Sequence, residues 1–223
     1  MVAVVDQLTG CMMLACVKDS PMPTDWNTIY TRRPADQLGW YESVPALSLR
    51  MITDSAITYT APLIDVGAGA ALLIDQLLAA GYRDLTALDC ASAALEVSRQ
   101  RLGAAADAVT WITADILQAD LPAQHYALWH DRAVFHFLTE PADQLRYLAV
   151  AAAALQPGGY LLLATFAPDG PTHCSERPVQ RWSSDGLAHL TEEYFTLVNT
   201  ILYSHLTPSG STQQFAYTLL QRR

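Results

Sequence analysis

Short apolar runs alternate with helix-like stretches from Pro62 onward, and no other feature of the 223 residues constrains the fold as tightly. A strand that is apolar on both faces needs cover on both. Helices crossing back over the sheet supply it, so the alternation predicts an α/β fold with a parallel sheet between two helical layers. Leu63-Ile64-Asp65-Val66 reads as a buried strand and Gly67-Ala68-Gly69 as the turn after it. Leu73, Ile74, Leu77 and Leu78 recur at helical spacing within residues 70–80, and Gly81 stands where a left-handed C-terminal cap is wanted.

Residues 85–88 make a second strand ending at Asp89, and a helix over residues 92–102 stops at Gly103. Residues 109–112 and 126–129 are the third and fourth strands. The helix expected over residues 139–155 has Thr139 as its cap, Pro141 in its first turn, and Leu145, Leu148, Ala152 and Leu155 on its apolar face. Pro157-Gly158-Gly159 is expected to end it, ahead of a central fifth strand over residues 160–166. A short helix near residues 184–190 follows. Residues 195–206 and 213–220 then flank Thr207-Pro208-Ser209-Gly210-Ser211 as a closing hairpin.

With 51% hydrophobic and 16% charged residues, the chain can bury a sizeable core, and its length suits one domain. We expect residues 22–223 to be that domain, with lid helices in the aromatic-rich stretch at about residues 24–53. Residues 1–21 read as an apolar extension outside the native fold, with Met22 competing with Met1 as the natural start. The extension carries Asp6 and no Lys or Arg ahead of its apolar residues, so neither an export signal nor a lipid anchor is expected. No apolar run is long enough for a spanning helix. Asp and Glu outnumber Lys and Arg by 22 to 13, giving a net charge of −9 with no basic stripe, which excludes nucleic acid as a partner. Cys11, Cys16, Cys90 and Cys174 lack zinc-site spacing and are too few to staple the chain, so a reducing cytoplasm and no bound metal are expected.

A glycine turn between strand and helix lets backbone approach a ligand closely. The dinucleotide fingerprint needs a third glycine where Leu72 stands, and Asp65, two residues before Gly67, would repel a pyrophosphate. The same carboxylate suits the ammonium of S-adenosylmethionine. Asp89 can accept the ribose hydroxyls of either cofactor. Asp115 carries two readings, an acceptor for an adenine amino group beside Ile116 or a turn carboxylate.

Leu63-Ile64-Asp65-Val66-Gly67-Ala68-Gly69, Leu88-Asp89, Ala114-Asp115-Ile116 and Leu155-Gln156-Pro157-Gly158-Gly159 together resemble class I S-adenosylmethionine-dependent methyltransferases in order and spacing. The resemblance runs from about Thr24 to the end, with Ala71 where the family usually has a third glycine. It implies a Rossmann-like seven-stranded sheet of order 3-2-1-4-5-7-6 with an antiparallel last strand and helices on both faces. It implies that Asp65, Gly67 and Gly69 surround the methionine moiety, Asp89 the ribose, and Asp115 with Ile116 the adenine. The segments 26–30, 39–42, 130–137 and 166–171, with Cys174-Ser175, resemble a group of small stand-alone bacterial methyltransferases, many without an assigned substrate.

Methyl transfer from a sulfonium is an in-line displacement, so the protein must position the acceptor, exclude water and manage any acceptor proton. The fourth strand ends near the methyl group in this architecture, which makes His130 the catalytic candidate. It is either a base at neutral pH or an orienting residue bonded to the cofactor or the N-terminal segment. Asp131 is read as the ion-pair partner of Arg132, and His136 as a buried, satisfied histidine. Trp26 and Tyr30, four apart on one helical face, and Trp40 are expected to close over the cofactor. Cys90 is expected near the adenine and Cys174 in the acceptor pocket.

Together these features predict a methyltransferase acting on a small thiol, amine or hydroxyl compound and leaving S-adenosylhomocysteine. The readings beside it are a protein lysine methyltransferase with a basic protein substrate, a catalytically inactive cofactor-binding protein, and an NAD-linked oxidoreductase.

Overall fold

The computed structural model describes residues 25–223, so the expected extension over residues 1–21, with Cys11 and Cys16, lies outside the described part. Two helices, α1 (Trp26–Arg32) and α2 (Ala46–Asp54), precede the alternating region. That region runs β1 (Leu63–Val66), α3 (Leu73–Ala80), β2 (Leu85–Asp89), α4 (Ser92–Leu102), β3 (Val109–Thr113), β4 (Tyr126–Arg132), α5 (Pro141–Ala154) and β5 (Leu155–Phe166). It closes with a two-residue pair, β6 (His173–Cys174) and β7 (Arg177–Pro178), then α6 (Ser184–Thr191), β8 (Phe195–Leu206) and β9 (Thr212–Arg222).

Seven strands form one sheet in the order β3-β2-β1-β4-β5-β9-β8, while β6 and β7 form a separate hairpin. This is the expected topology, with that small hairpin shifting the numbers of the last pair. Strands β1 to β5 pair in parallel, and β9 runs antiparallel to both β5 and β8. The three central leucines show why β5 belongs in the middle. Leu161, Leu162 and Leu163 are fully buried, and each contributes roughly 1.5–3 kcal/mol by burial. Leu162 joins a core with α2 and α3 on one face, while Leu161 and Leu163 join a core with α5 and α6 on the other.

Helix α5 departs from its expected face. Leu145 is 51% exposed, and the buried stripe is Gln144, Tyr147, Leu148, Ala151 and Ala152. Tyr147 sets the phase by packing edge-on against Trp129 and Phe135, and Leu145, two residues away, is turned by about 200° to the opposite side. The capping residue is Glu140 rather than Thr139, and it makes no side-chain cap bond. Pro157-Gly158-Gly159 lies inside β5 instead of ending the helix, and the β4–β5 ladder takes up the irregularity between Tyr126 and Leu128.

Helix α1 is fastened to the body through α4. Ala91, which precedes α4, offers no side-chain acceptor. Asn27 of α1 supplies one instead, its Oδ1 accepting from the Ala93 N–H at 3.0 Å and the Ser92 hydroxyl at 3.3 Å.

Candidate functional site

The C-terminal ends of β1, β2, β3 and β4 surround a cavity of about 190 Å³. Its floor comes from Gly67, from Asp89 and Cys90, from Asp115 and Ile116, and from the turn after β4 with Ala133 and Val134. Trp26, Tyr30 and Trp40 cover it from the N-terminal segment. Phe137, Cys174 and Arg177 line it as well.

The turn after β1 requires glycine twice. Gly67 and Gly69 have φ of 68° and 55°. A Cβ on Gly67 would lie 2.0 Å from Val134 Cγ2, and one on Gly69 would lie 2.6 Å from the Tyr30 hydroxyl. Asp89 is buried under this turn, where Oδ2 accepts from the Gly69 N–H at 2.9 Å and Oδ1 from the Ala91 N–H at 2.8 Å. Burial raises its carboxyl above the ordinary value despite those two bonds. Asp115 fills its turn reading, accepting from the Leu117 N–H at 3.0 Å and the Gln118 amide at 3.2 Å, and it lines the cavity as well.

Trp26, Tyr30, Trp40 and Phe137 form an edge-to-face aromatic cluster along the cavity. Ring centroids lie 6.1 Å apart for Trp26 and Trp40, 5.3 Å for Trp26 and Phe137, and 6.2 Å for Tyr30 and Trp40. Burial, with Asp89 nearby, holds the Tyr30 phenol far above its ordinary pKa, so it stays protonated. Burial likewise pushes the Cys90 and Cys174 thiols up to about 11.

A second, smaller cavity of about 50 Å³ adjoins the first and shares Tyr30, Trp40, Gly67 and Arg132 with it. Asp65, Gly69, Ser48 and His130 line this smaller space. The parallel register sets Asp65 beside His130 on neighbouring strands. His130 Nδ1 lies 2.7 Å from Asp65 Oδ1, and Nε2 lies 2.9 Å from the Ser48 hydroxyl of α2. Both ring nitrogens are thereby engaged, away from the larger cavity, and the contact is with the N-terminal segment.

A family profile described as methyltransferase domain matches residues 63–159, the stretch that carries β1 through β4 and their loops. A malonyl-[acyl-carrier protein] O-methyltransferase of Anoxybacillus flavithermus is 36% identical over 106 residues, covering 47% of this chain and 38% of that protein, so the match spans well under half of the relative. Among solved structures, an N-methyltransferase of Bradyrhizobium japonicum in complex with S-adenosylhomocysteine superposes with a TM-score of 0.64 at 15% identity, over 89% of this chain and 98% of that one. A Burkholderia thailandensis 1,6-didemethyltoxoflavin-N1-methyltransferase gives 0.64 at 20% identity, over 87% and 80% of the two chains. Residues 63–159 carry a methyltransferase domain, and the sheet has the fold of these S-adenosylmethionine-dependent methyltransferases.

Within this methyltransferase domain two neighbours of His130 behave differently from expectation. Asp131 does not pair with Arg132, because alternation along β4 sends them to opposite faces. Asp131 accepts from the Tyr147 hydroxyl at 2.5 Å and from the Val134 and Phe135 N–H groups at 3.0 Å. Arg132 instead ties Trp40 to the sheet. It donates to the Trp40 carbonyl at 2.7 Å and the Tyr217 hydroxyl at 3.1 Å, lies 3.5 Å from Glu42, and stacks 4.7 Å over Phe215. Burial alone would raise the Glu42 carboxyl, but a hydrogen bond from His205 and the charge of Arg132 hold it below its ordinary value.

His136 is buried as expected but unsatisfied, since neither ring nitrogen has a hydrogen-bond partner among the described residues. Burial, with Arg132 adding to it, lowers its pKa to about 3, so the ring is neutral. Ser48, Val134 and Arg177 are site-lining residues that the sequence does not single out. Only Val134 had a usable signal, lying inside the strand-end motif. No cluster of three metal-ligating side chains and no helix fit to cross a membrane occurs among the described residues.

Proposed function

We propose that this chain is an enzyme that binds S-adenosylmethionine in the two joined cavities and transfers its methyl group to a small thiol, amine or hydroxyl acceptor. The observation that carries this reading is the glycine turn itself. It forms a cradle that any Cβ would fill, it stands between two cavities, and carboxylates from the ends of β1, β2 and β3 surround it. Such a donor and acceptor set fits a cofactor with an ammonium, a ribose and an adenine. When bound, that cofactor supplies a methyl group already activated by its sulfonium charge.

The chain's residues then have separable tasks. Asp89 accepts hydroxyl protons with its spare lone pairs, Asp115 and Ile116 receive the base, and Asp65 with the Gly67–Gly69 turn receives the amino-acid end. Trp26, Tyr30 and Trp40 exclude water and offer π faces to a cation, a contact worth about 0.5–2 kcal/mol. Phe137, Cys174 and Arg177, the lining residues with no part in holding the cofactor, meet the acceptor. With its thiol near 11, Cys174 lines the larger cavity without acting as a nucleophile. No histidine lines that cavity among the described residues. The reading therefore favours acceptors that react without a dedicated base, a neutral amine or a readily ionised thiol.

Incubation with methyl-labelled cofactor, a small-molecule panel and cell lysate tests this. Label should enter the small-molecule fraction. Label confined to a protein band would replace the reading with protein methylation, and cofactor binding without turnover on either would make the chain a binding protein.

A further inference from the structure

We propose that Ser48, His130 and Asp65 form a relay that positions the Asp65 carboxylate for the ammonium at the amino-acid end of the cofactor, so that α2 takes part in holding that end. The inference rests on the S-adenosylmethionine reading above and adds two positioning residues to it.

All three side chains are buried, with relative exposures of 1% for Ser48 and 3% for both Asp65 and His130. They line the same small cavity as Gly67 and Gly69. With Nδ1–H donating to Asp65, a neutral imidazole leaves Nε2 as an acceptor, and the Ser48 hydroxyl is the donor placed to satisfy it. Should the imidazole take up a proton, the Ser48 hydroxyl can turn and accept, so the chain of bonds survives either state. One Asp65 oxygen is thereby fixed, and the plane of the carboxylate with it.

The other charged groups on this cavity are spoken for. Arg132 faces Glu42, and Glu42 also faces His205. The Tyr30 phenol stays neutral. Asp65 is thus the carboxylate of the smaller cavity held by the His130 ring.

The order Ser, His, Asp is also that of nucleophilic hydrolases. Here the serine is 1% exposed, so an acyl carbon has no approach to its hydroxyl. A positioning role fits that burial and a nucleophilic one does not.

Calorimetric titration of the full chain with S-adenosylhomocysteine and with 5′-methylthioadenosine separates this role from a merely structural one, because the second ligand keeps the adenosine and thioether but lacks the amino-acid end. His130→Phe should weaken S-adenosylhomocysteine by about tenfold or more and leave 5′-methylthioadenosine within about twofold of wild type. Ser48→Ala should show the same selectivity at about two- to fivefold. His130→Asn, whose amide can still donate to Asp65, should recover part of the loss. If His130→Phe fails to fold, Ser48→Ala and His130→Asn carry the test. Equal losses on both ligands, or an unchanged affinity for S-adenosylhomocysteine, would overturn the relay. Failure of the wild-type chain to bind S-adenosylhomocysteine would overturn the cofactor reading, a different result from either.

Discussion

His130 and Asp131 are consecutive in β4, both buried, and both hydrogen-bonded to a side chain on a helix that covers the sheet. His130 reaches Ser48 of α2 on one face and lines a cavity, while Asp131 reaches Tyr147 of α5 on the other face and lines neither cavity. Burial and bonding are alike in the two networks, so neither property separates a site from a scaffold. What separates them is where the last free valence points. The Asp131 carboxylate spends its acceptors on the 134–135 backbone and so shapes the turn that carries Val134 over Gly67. Ala133, in that turn, holds φ of 70° at the cavity wall, a conformation the surrounding bonds must maintain.

The largest expected effect breaks the scaffold half of the comparison. Asp131→Asn keeps the shape but removes acceptor capacity and charge from a fully buried network, and should cost roughly 3–5 kcal/mol in denaturant unfolding. Cofactor affinity measured on the folded fraction should fall for both S-adenosylhomocysteine and 5′-methylthioadenosine together. A loss confined to the first ligand would place Asp131 in the site and erase the contrast with His130.

A smaller effect, of opposite sign, comes from His136. His136→Phe removes two unpartnered ring nitrogens from a cage of Phe137 and Phe166, and should stabilise the fold by about 1–3 kcal/mol at neutral pH. The pH dependence sharpens this. The folded His136 refuses a proton until about pH 3, whereas the unfolded ring takes one near 6.5, so its contribution is present above 6.5 and lost as pH falls toward 3. Asp131 works the other way. Burial raises its carboxyl from 3.8 to about 6 against the Tyr147 bond, so its contribution is present below 3.8 and lost as pH rises through 6. His136 has the larger displacement, and wild-type stability should therefore drop on acidification while His136→Phe drops less. Parallel melting curves for the two proteins between pH 6.5 and 4 would contradict this.

Much of the fold was legible because periodicity and punctuation agree. β1, α4 and β8 fall where apolar runs, Gly103 and the Pro208–Gly210 turn put them. Helix α5 was phased wrongly because Leu145 is as apolar as Leu148, and only the bulk of Tyr147 against Trp129 decides which faces inward. The β6–β7 hairpin escaped because two-residue strands have no period. In the site, the strand-end carboxylates were readable beside a glycine turn. Ser48 was not, since it lies 82 residues from His130 and no motif surrounds it. The pairing of Asp131 with Arg132 was read from adjacency, when alternation along a strand already sends such neighbours to opposite faces.

The central claim, that the joined cavities hold S-adenosylmethionine through the β1 and β2 strand ends, is tested most directly by titrating the full chain with S-adenosylmethionine and with NAD, alongside Asp89→Ala. Binding of S-adenosylmethionine in preference to NAD is expected, with Asp89→Ala weaker by about tenfold or more while retaining its far-ultraviolet circular dichroism. Tighter binding of NAD, or an Asp89→Ala chain that binds S-adenosylmethionine as well as wild type, would contradict it.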